Sequence, residues 1–191
     1  MAASPLRILT IDDEDMIRET IAVYLENKGY AVLEACNGRQ GLERFLAKRP
    51  DLVLVDLRMP EMDGLEVLAR LRELSPDTPA IVVSGTGVLQ DALEAIRRGA
   101  WDYVTKPIQD MEVLGLAVEK ALERARLLRE NRAYQENLEA LVRERTAEVE
   151  NTRRQIMHRL SRAAEFKDNE TGRHVVRVGE ISALIGRAVG L

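Results

Sequence analysis

Two hydrophobic periods alternate along the first 122 residues. Short runs dense in Leu, Ile and Val read as strands: LRILTID at 6–12, YAVLEA at 30–35, DLVLVD at 51–56, PAIVVSG at 79–85 and DYVTKP at 102–107. Between them the apolar positions fall at helical spacing. DMIRETIAVYLENKG (15–29) puts Ile17, Ile21, Tyr24 and Leu25 on one face, with Gly29 as a stop. GRQGLERFLAKR (38–49), GLEVLARLREL (64–74) and VLQDALEAIRRGA (88–100) follow the same pattern. DMEVLGLAVEKAL (110–122) opens a fifth helix, and Asp63-Gly64 reads as a turn pair. Apolar strands alternating with helices imply an α/β fold with a parallel sheet covered on both faces.

The texture changes after residue 122. Residues 123–165 hold no strand candidate and no proline, so one long helix is expected. One heptad register puts Leu128, Gln135, Val142, Val149, Ile156 and Ala163 at one core position. It puts Asn131, Leu138, Arg145, Thr152 and Arg159 at the other. So many polar residues weaken a seam, and two readings fit: a parallel homodimer through residues 120–165, or a solvated charged helix. Near residue 168, DNETGRH interrupts, and VVRVGEISALIGRAVGL reads as a further amphipathic helix. The expected organisation is a domain at 1–122, a helical linker at 123–165 and the start of an incomplete domain at 166–191.

Charge and cysteine content narrow the class. The net charge of −4 hides an asymmetry: residues 1–122 carry 14 Lys+Arg and 21 Asp+Glu, and residues 123–191 carry 14 and 11. The basic excess of the second part is weak and spread along helices, so nucleic acid is not indicated. The single cysteine, Cys36, adjoins the second strand and is expected to be a small buried apolar group. One cysteine makes no internal disulfide, which suits a reducing compartment. No apolar run approaches a membrane span and no signal-peptide pattern opens the chain. A cytoplasmic protein with no membrane partner is expected.

The chemistry sits at the strand ends. Five alternating units suit a flavodoxin-like, doubly wound sheet of order 2-1-3-4-5, which sets strands 1 and 3 side by side and gathers functional groups at the carboxyl edge. Strand 1 ends in Asp12-Asp13, strand 3 in Asp56 and strand 4 in Ser84, and strand 5 leads to Thr105-Lys106-Pro107. Three close carboxylates resist ionising together, and a hard divalent cation such as Mg2+ relieves this with oxygen ligands. A carboxylate beside such a cation and a lysine is a nucleophile toward a phosphoryl group. Ser84 and Lys106 can then hydrogen-bond the phosphoryl oxygens.

These residues carry a resemblance. Residues 5–122, through IDDEDMIRE, VLVDLRMPEMDGLEVL, VVSGTG and GAWDYVTKP, resemble the receiver domain of bacterial two-component response regulators. The resemblance implies that Asp56 is the phosphoacceptor for a histidine kinase. It implies that Asp12, Asp13 and Asp56 hold Mg2+ together with the main-chain carbonyl of Arg58. Ser84 would be the switch hydroxyl and Tyr103 the switch aromatic, signalling to the face of the fourth helix, fifth strand and fifth helix. Lys106 would pair with the phosphate and form a cis bond to Pro107. Arg58 and Thr86 would flank the attacking water and set the rate of dephosphorylation.

Residues 159–191 resemble the opening of HD-GYP domains, metal-dependent phosphohydrolases that cleave cyclic di-GMP. Glu170 and His174, four apart on a helix, match metal ligands of that family. No His-Asp pair and no Gly-Tyr-Pro follows, so the resemblance implies a truncated effector. Its iron or manganese pair would belong to the full domain, and the 191-residue chain is expected to be inactive as a phosphodiesterase. Two other outputs stay open: a helix-turn-helix beginning at GEISALIGRAVGL, and a stand-alone dimerisation or interaction module.

Overall fold

The computed structural model describes residues 4–85, 89–165 and 171–188. In chain order these form β1 (Arg7–Ile11), α1 (Asp15–Asn27), β2 (Ala31–Ala35), α2 (Gly38–Lys48), β3 (Leu52–Val55), α3 (Gly64–Leu74), β4 (Ala80–Ser84), α4 (Leu89–Arg97), β5 (Asp102–Thr105), α5 (Met111–Glu165) and α6 (Thr171–Ala188). The five strands make one sheet in the order β2-β1-β3-β4-β5, and every pairing is parallel. This is the doubly wound sheet expected from the alternation of strands and helices.

Strand periodicity divides the core into two layers. In β3, Val53 and Val55 face one layer with Phe45 of α2, Val67, Leu68 and Leu71 of α3, and Ala95 of α4. Leu52 and Leu54 face the other, with Ile21 and Leu25 of α1 and Leu114 and Val118 of α5. All four β3 residues are fully buried, which explains why the run carries no polar position. Each such side chain contributes about 1.5–3 kcal/mol by leaving water.

The chain divides into two compact units, Met1–Asn131 and Arg132–Leu191. Within the first, α5 buries Leu114, Ala117, Val118, Ala121, Leu122 and Ala125 at helical spacing. Arg124 stacks over the half-buried ring of Trp101, 4.7 Å from its centroid. Within the second, α5 is solvated and laced with short-range ion pairs such as Arg143–Glu139 and Arg145–Glu148. Leu138, Val142, Val149 and Ile156 are all exposed on it. No helix among the described residues is long and apolar enough to cross a membrane.

Two local expectations change. Cys36 lies just past the end of β2 and is exposed, because its main chain has left the sheet and its N–H donates to Gln40 Oε1 at 2.9 Å. Asp63-Gly64 is a helix start and no free turn: the Asp63 carboxylate caps α3 by accepting from Glu66 N–H at 2.8 Å.

Candidate functional site

Main-chain pairing places the acids. Asp12 N–H donates to Ala35 O at 3.0 Å and Asp56 N–H to Ile11 O at 2.9 Å, so the ladder continues one residue beyond β1 and β3. Lys106 N–H donates to Ser84 O at 3.0 Å and does the same for β5 beside β4. Each functional side chain therefore leaves the carboxyl edge of a rigid strand. The Lys106–Pro107 peptide is cis.

Lys106 joins the cluster. Its Nζ lies 2.8 Å from Asp12 Oδ2, 2.8 Å from Asp56 Oδ2 and 3.2 Å from Glu14 Oε1. The side chains of Lys106, Asp12 and Asp56 are 6%, 2% and 6% exposed, so water screens little of this contact. Asp13 is exposed at the rim, and one oxygen each from Asp12, Asp13 and Asp56 lie within 4.8 Å of one another.

The charges do not balance. Burial pushes the Asp12 carboxyl above the usual carboxylate range; the hydrogen bonds from Lys106 and from Glu14 N–H offset only part of this. Burial opposes the Lys106 ammonium, but its bonds to Asp12 and Asp56 outweigh that and hold its pKa above the ordinary lysine value. Asp12, Asp56 and Glu14 contact a single ammonium and Asp13 lies beside them, which leaves an excess of negative charge on oxygen-only donors. That donor set fits a hard divalent cation of the Mg2+ type.

The remaining expected residues flank this centre. Ser84 ends β4 and is fully buried, and its Oγ has no hydrogen-bond partner among the described residues. Tyr103, on β5, packs partly buried against the layer that contains Ala95 of α4. Arg58 N–H reaches Asp56 Oδ1 at 3.3 Å, while its guanidinium points to Asp91 on α4. Thr86 and Glu170 lie outside the described residues, as does the side chain of His174, whose main chain belongs to α6.

Three contributors were missed in the sequence. Glu14 reads there as part of a helix start, yet its carboxylate reaches the ammonium of Lys106. Arg18, four residues on, donates to the main-chain carbonyl of Asp12 at 2.8 Å and to Glu34 at 3.2 Å. It braces the acidic turn through the backbone and leaves the Asp12 carboxylate to Lys106 and Glu14 N–H. Asp91 pairs with Arg58 across 33 positions, a distance at which no local pattern signals.

Known proteins extend the picture. The model of the family described as "Response regulator receiver domain" matches residues 8–119. Regulatory protein AtoC of Escherichia coli is 42% identical over 117 residues, 61% of this chain and 25% of AtoC. A cyclic di-GMP phosphodiesterase of Thermotoga maritima is 30% identical over 193 aligned positions, 97% of this chain and 52% of that protein. The chain thus spans between a quarter and about half the length of these relatives. Among solved structures, a receiver domain protein from Clostridium thermocellum is 34% identical with a TM-score of 0.61, over 64% of this chain and 98% of that one. NtrX from Brucella abortus, in complex with ADP, is 34% identical with a TM-score of 0.63, over 66% and 29%. With the sheet order, the acidic edge and these matches together, the chain belongs to the response regulator receiver family and carries the receiver domain of a two-component response regulator.

Proposed function

We propose that Asp56 accepts a phosphoryl group from a histidine kinase, and that Asp12, Asp13 and Asp56, with the carbonyl of Arg58, hold Mg2+ for the transfer. One observation carries this reading: Lys106 Nζ bridges Asp12 and Asp56 at 2.8 Å each, at a buried edge that still holds excess negative charge. An Asp56 carboxylate oxygen attacks phosphorus, and the bond from phosphorus to the donor's nitrogen or oxygen breaks. The product is an aspartyl phosphate, and the donor leaves with the electron pair. Lys106 holds the carboxylate and neutralises the incoming phosphoryl oxygens. The unpartnered hydroxyl of Ser84 supplies a buried donor for one of those oxygens. When bound, Mg2+ supplies further charge neutralisation.

Treating the chain with acetyl phosphate and Mg2+ should add one phosphoryl mass, located at Asp56. Labelling should disappear with chelator and in Asp56→Ala. Wild-type labelling of that variant, or labelling indifferent to chelator, contradicts the assignment.

Downstream, Ser84 and Tyr103 would carry the signal to the face of α4, β5 and α5, which exposes Leu93, Ile96 and Val113. The output we favour is a cyclic di-GMP phosphodiesterase of the HD-GYP type, with Glu170 and His174 among its metal ligands. The Thermotoga maritima relative supports it, because that alignment covers 97% of the chain, while the AtoC alignment stops at 61%. A parallel homodimer through residues 120–165 would transmit the signal. Its support is the exposed apolar set on α5: Leu138 and Ile156 lie 18 residues apart, about five whole turns, and so share one face. Sedimentation should show concentration-dependent dimerisation, weakened at least tenfold by Val149→Glu. A monomer at every concentration, with and without phosphodonor, excludes it.

A further inference from the structure

Arg58 faces two ways. Its main-chain N–H touches Asp56 Oδ1 at 3.3 Å, while its Nη2 donates to Asp91 Oδ2 at 3.0 Å. The loop after β3 is thus tied to the first turn of α4 by one ion pair. The Arg58 side chain is 72% exposed and that of Asp91 23%, so the guanidinium end of the pair is solvated and open to exchange while the carboxylate is partly covered. Asp91 sits in the acidic first turn of α4, where the helix N-terminus favours its carboxylate. Releasing Arg58 therefore leaves a partly covered carboxylate that the helix terminus still stabilises.

A phosphoryl group on Asp56 changes the competition. It brings nearly two negative charges and three acceptor oxygens next to the main chain of Arg58. A guanidinium prefers such a group, which can accept two parallel hydrogen bonds, to one oxygen of the Asp91 carboxylate. We propose that Asp91 is a positioning residue that holds Arg58 away from Asp56 in the unmodified protein. On phosphorylation Arg58 transfers to the phosphoryl group, shields it from water and frees the first turn of α4. This rests on Asp56 being the phosphoacceptor. It adds a charge-exchange route to α4 that is separate from Ser84 and Tyr103.

The lifetime of the phosphoryl group reads the exchange. In hydrolysis, water attacks phosphorus, the bond from Asp56 oxygen to phosphorus breaks, and the carboxylate is restored. Inorganic phosphate leaves carrying the oxygen and both protons of the water, one of which passes on to solvent according to pH. Wild type, Asp91→Asn, Asp91→Glu, Arg58→Ala and the double variant Arg58→Ala/Asp91→Asn are loaded with acetyl phosphate and Mg2+. The donor is then removed, and loss of phosphoprotein is followed by intact mass. Asp91→Asn frees Arg58 for the phosphoryl group, so its phosphoryl lifetime should lengthen about threefold or more. Asp91→Glu should return to within about twofold of wild type. Arg58→Ala should lose phosphate faster than wild type, and adding Asp91→Asn to it should change nothing. The proposal is overturned by an unchanged or shorter lifetime in Asp91→Asn, by failure of Asp91→Glu to restore it, or by an equal effect without Arg58. If Asp91→Asn folds poorly, Asp91→Ser makes the same comparison. Wild-type protein that takes no phosphoryl group at Asp56 sinks the phosphoacceptor reading itself, a failure distinct from labelled protein whose decay ignores Asp91.

Discussion

Lys106→Met should leave the receiver about 3–5 kcal/mol less stable at neutral pH in chelator, because it removes one partner of a buried ion cluster. Asp12 and Asp56 have side chains 2% and 6% exposed and would face each other without a cation between them. Burial already pushes Asp12 up in the intact cluster, and Lys106 is the first of the contacts that oppose this. Without it, the Asp12 carboxyl pKa in the folded state rises further above that of the unfolded chain. The folded state then binds more protons than the unfolded state, so the loss is largest above that raised value. It shrinks as pH falls through it. Mg2+ should restore part of the stability by binding the folded state alone, about 2.7 kcal/mol at a hundred times its Kd. Urea denaturation of wild type and variant, across pH and with or without MgCl2, checks all three statements. A midpoint unmoved at pH 7, or a variant that ignores Mg2+, would show that the ammonium does not balance these acids.

Much of the architecture was readable because the sequence is locally consistent. Every run that is apolar on both faces became a central strand, and every intervening stretch with helical spacing became a cover helix. The acidic edge was readable for a topological reason: parallel strands end on one side, so the last residue of each strand converges there. What escaped reading has a different physics. Asp91 meets Arg58 only through tertiary geometry, and Glu14 reaches Lys106 only because the turn after β1 folds over the sheet edge. Cys36 failed as a buried residue because it follows β2, an edge strand, and its main chain turns from the sheet to Gln40. The turn pair Asp63-Gly64 failed because the same two residue types start helices, and the capping bond to Glu66 N–H decides which.

Gly64→Ala should cost at least about 3 kcal/mol, more than Gly41→Ala or Gly29→Ala, and should reduce labelling of Asp56. Gly64 is the first residue of α3 and its N–H donates to Leu57 O at 3.0 Å. A Cβ there would lie 2.0 Å from the carbonyl oxygen of Asp56, 2.8 Å from its carbonyl carbon and 2.8 Å from Leu57 Cα. All three obstacles are backbone, so no rotamer change makes room. Either α3 lifts from the sheet, or the peptide after Asp56 tilts and turns the carboxylate away from Lys106. Gly41 is the instructive contrast. Its Cβ would meet Ile11 Cδ1, Cγ1 and Cγ2 at 2.4, 2.9 and 3.0 Å, all of them atoms of one buried side chain that must repack rather than main chain, so about 1–3 kcal/mol is expected. Gly29 is limited by conformation instead: φ is +90° and nothing lies within 4 Å, so alanine there should cost about 1–2 kcal/mol. Urea midpoints should therefore fall in the order Gly29→Ala, Gly41→Ala, Gly64→Ala, from least to most destabilised. Acetyl phosphate labelling should fall selectively in the last, measured at a temperature where all three are folded. A Gly64→Ala protein as stable as Gly29→Ala would mean that the start of α3 does not lock the main chain beneath Asp56.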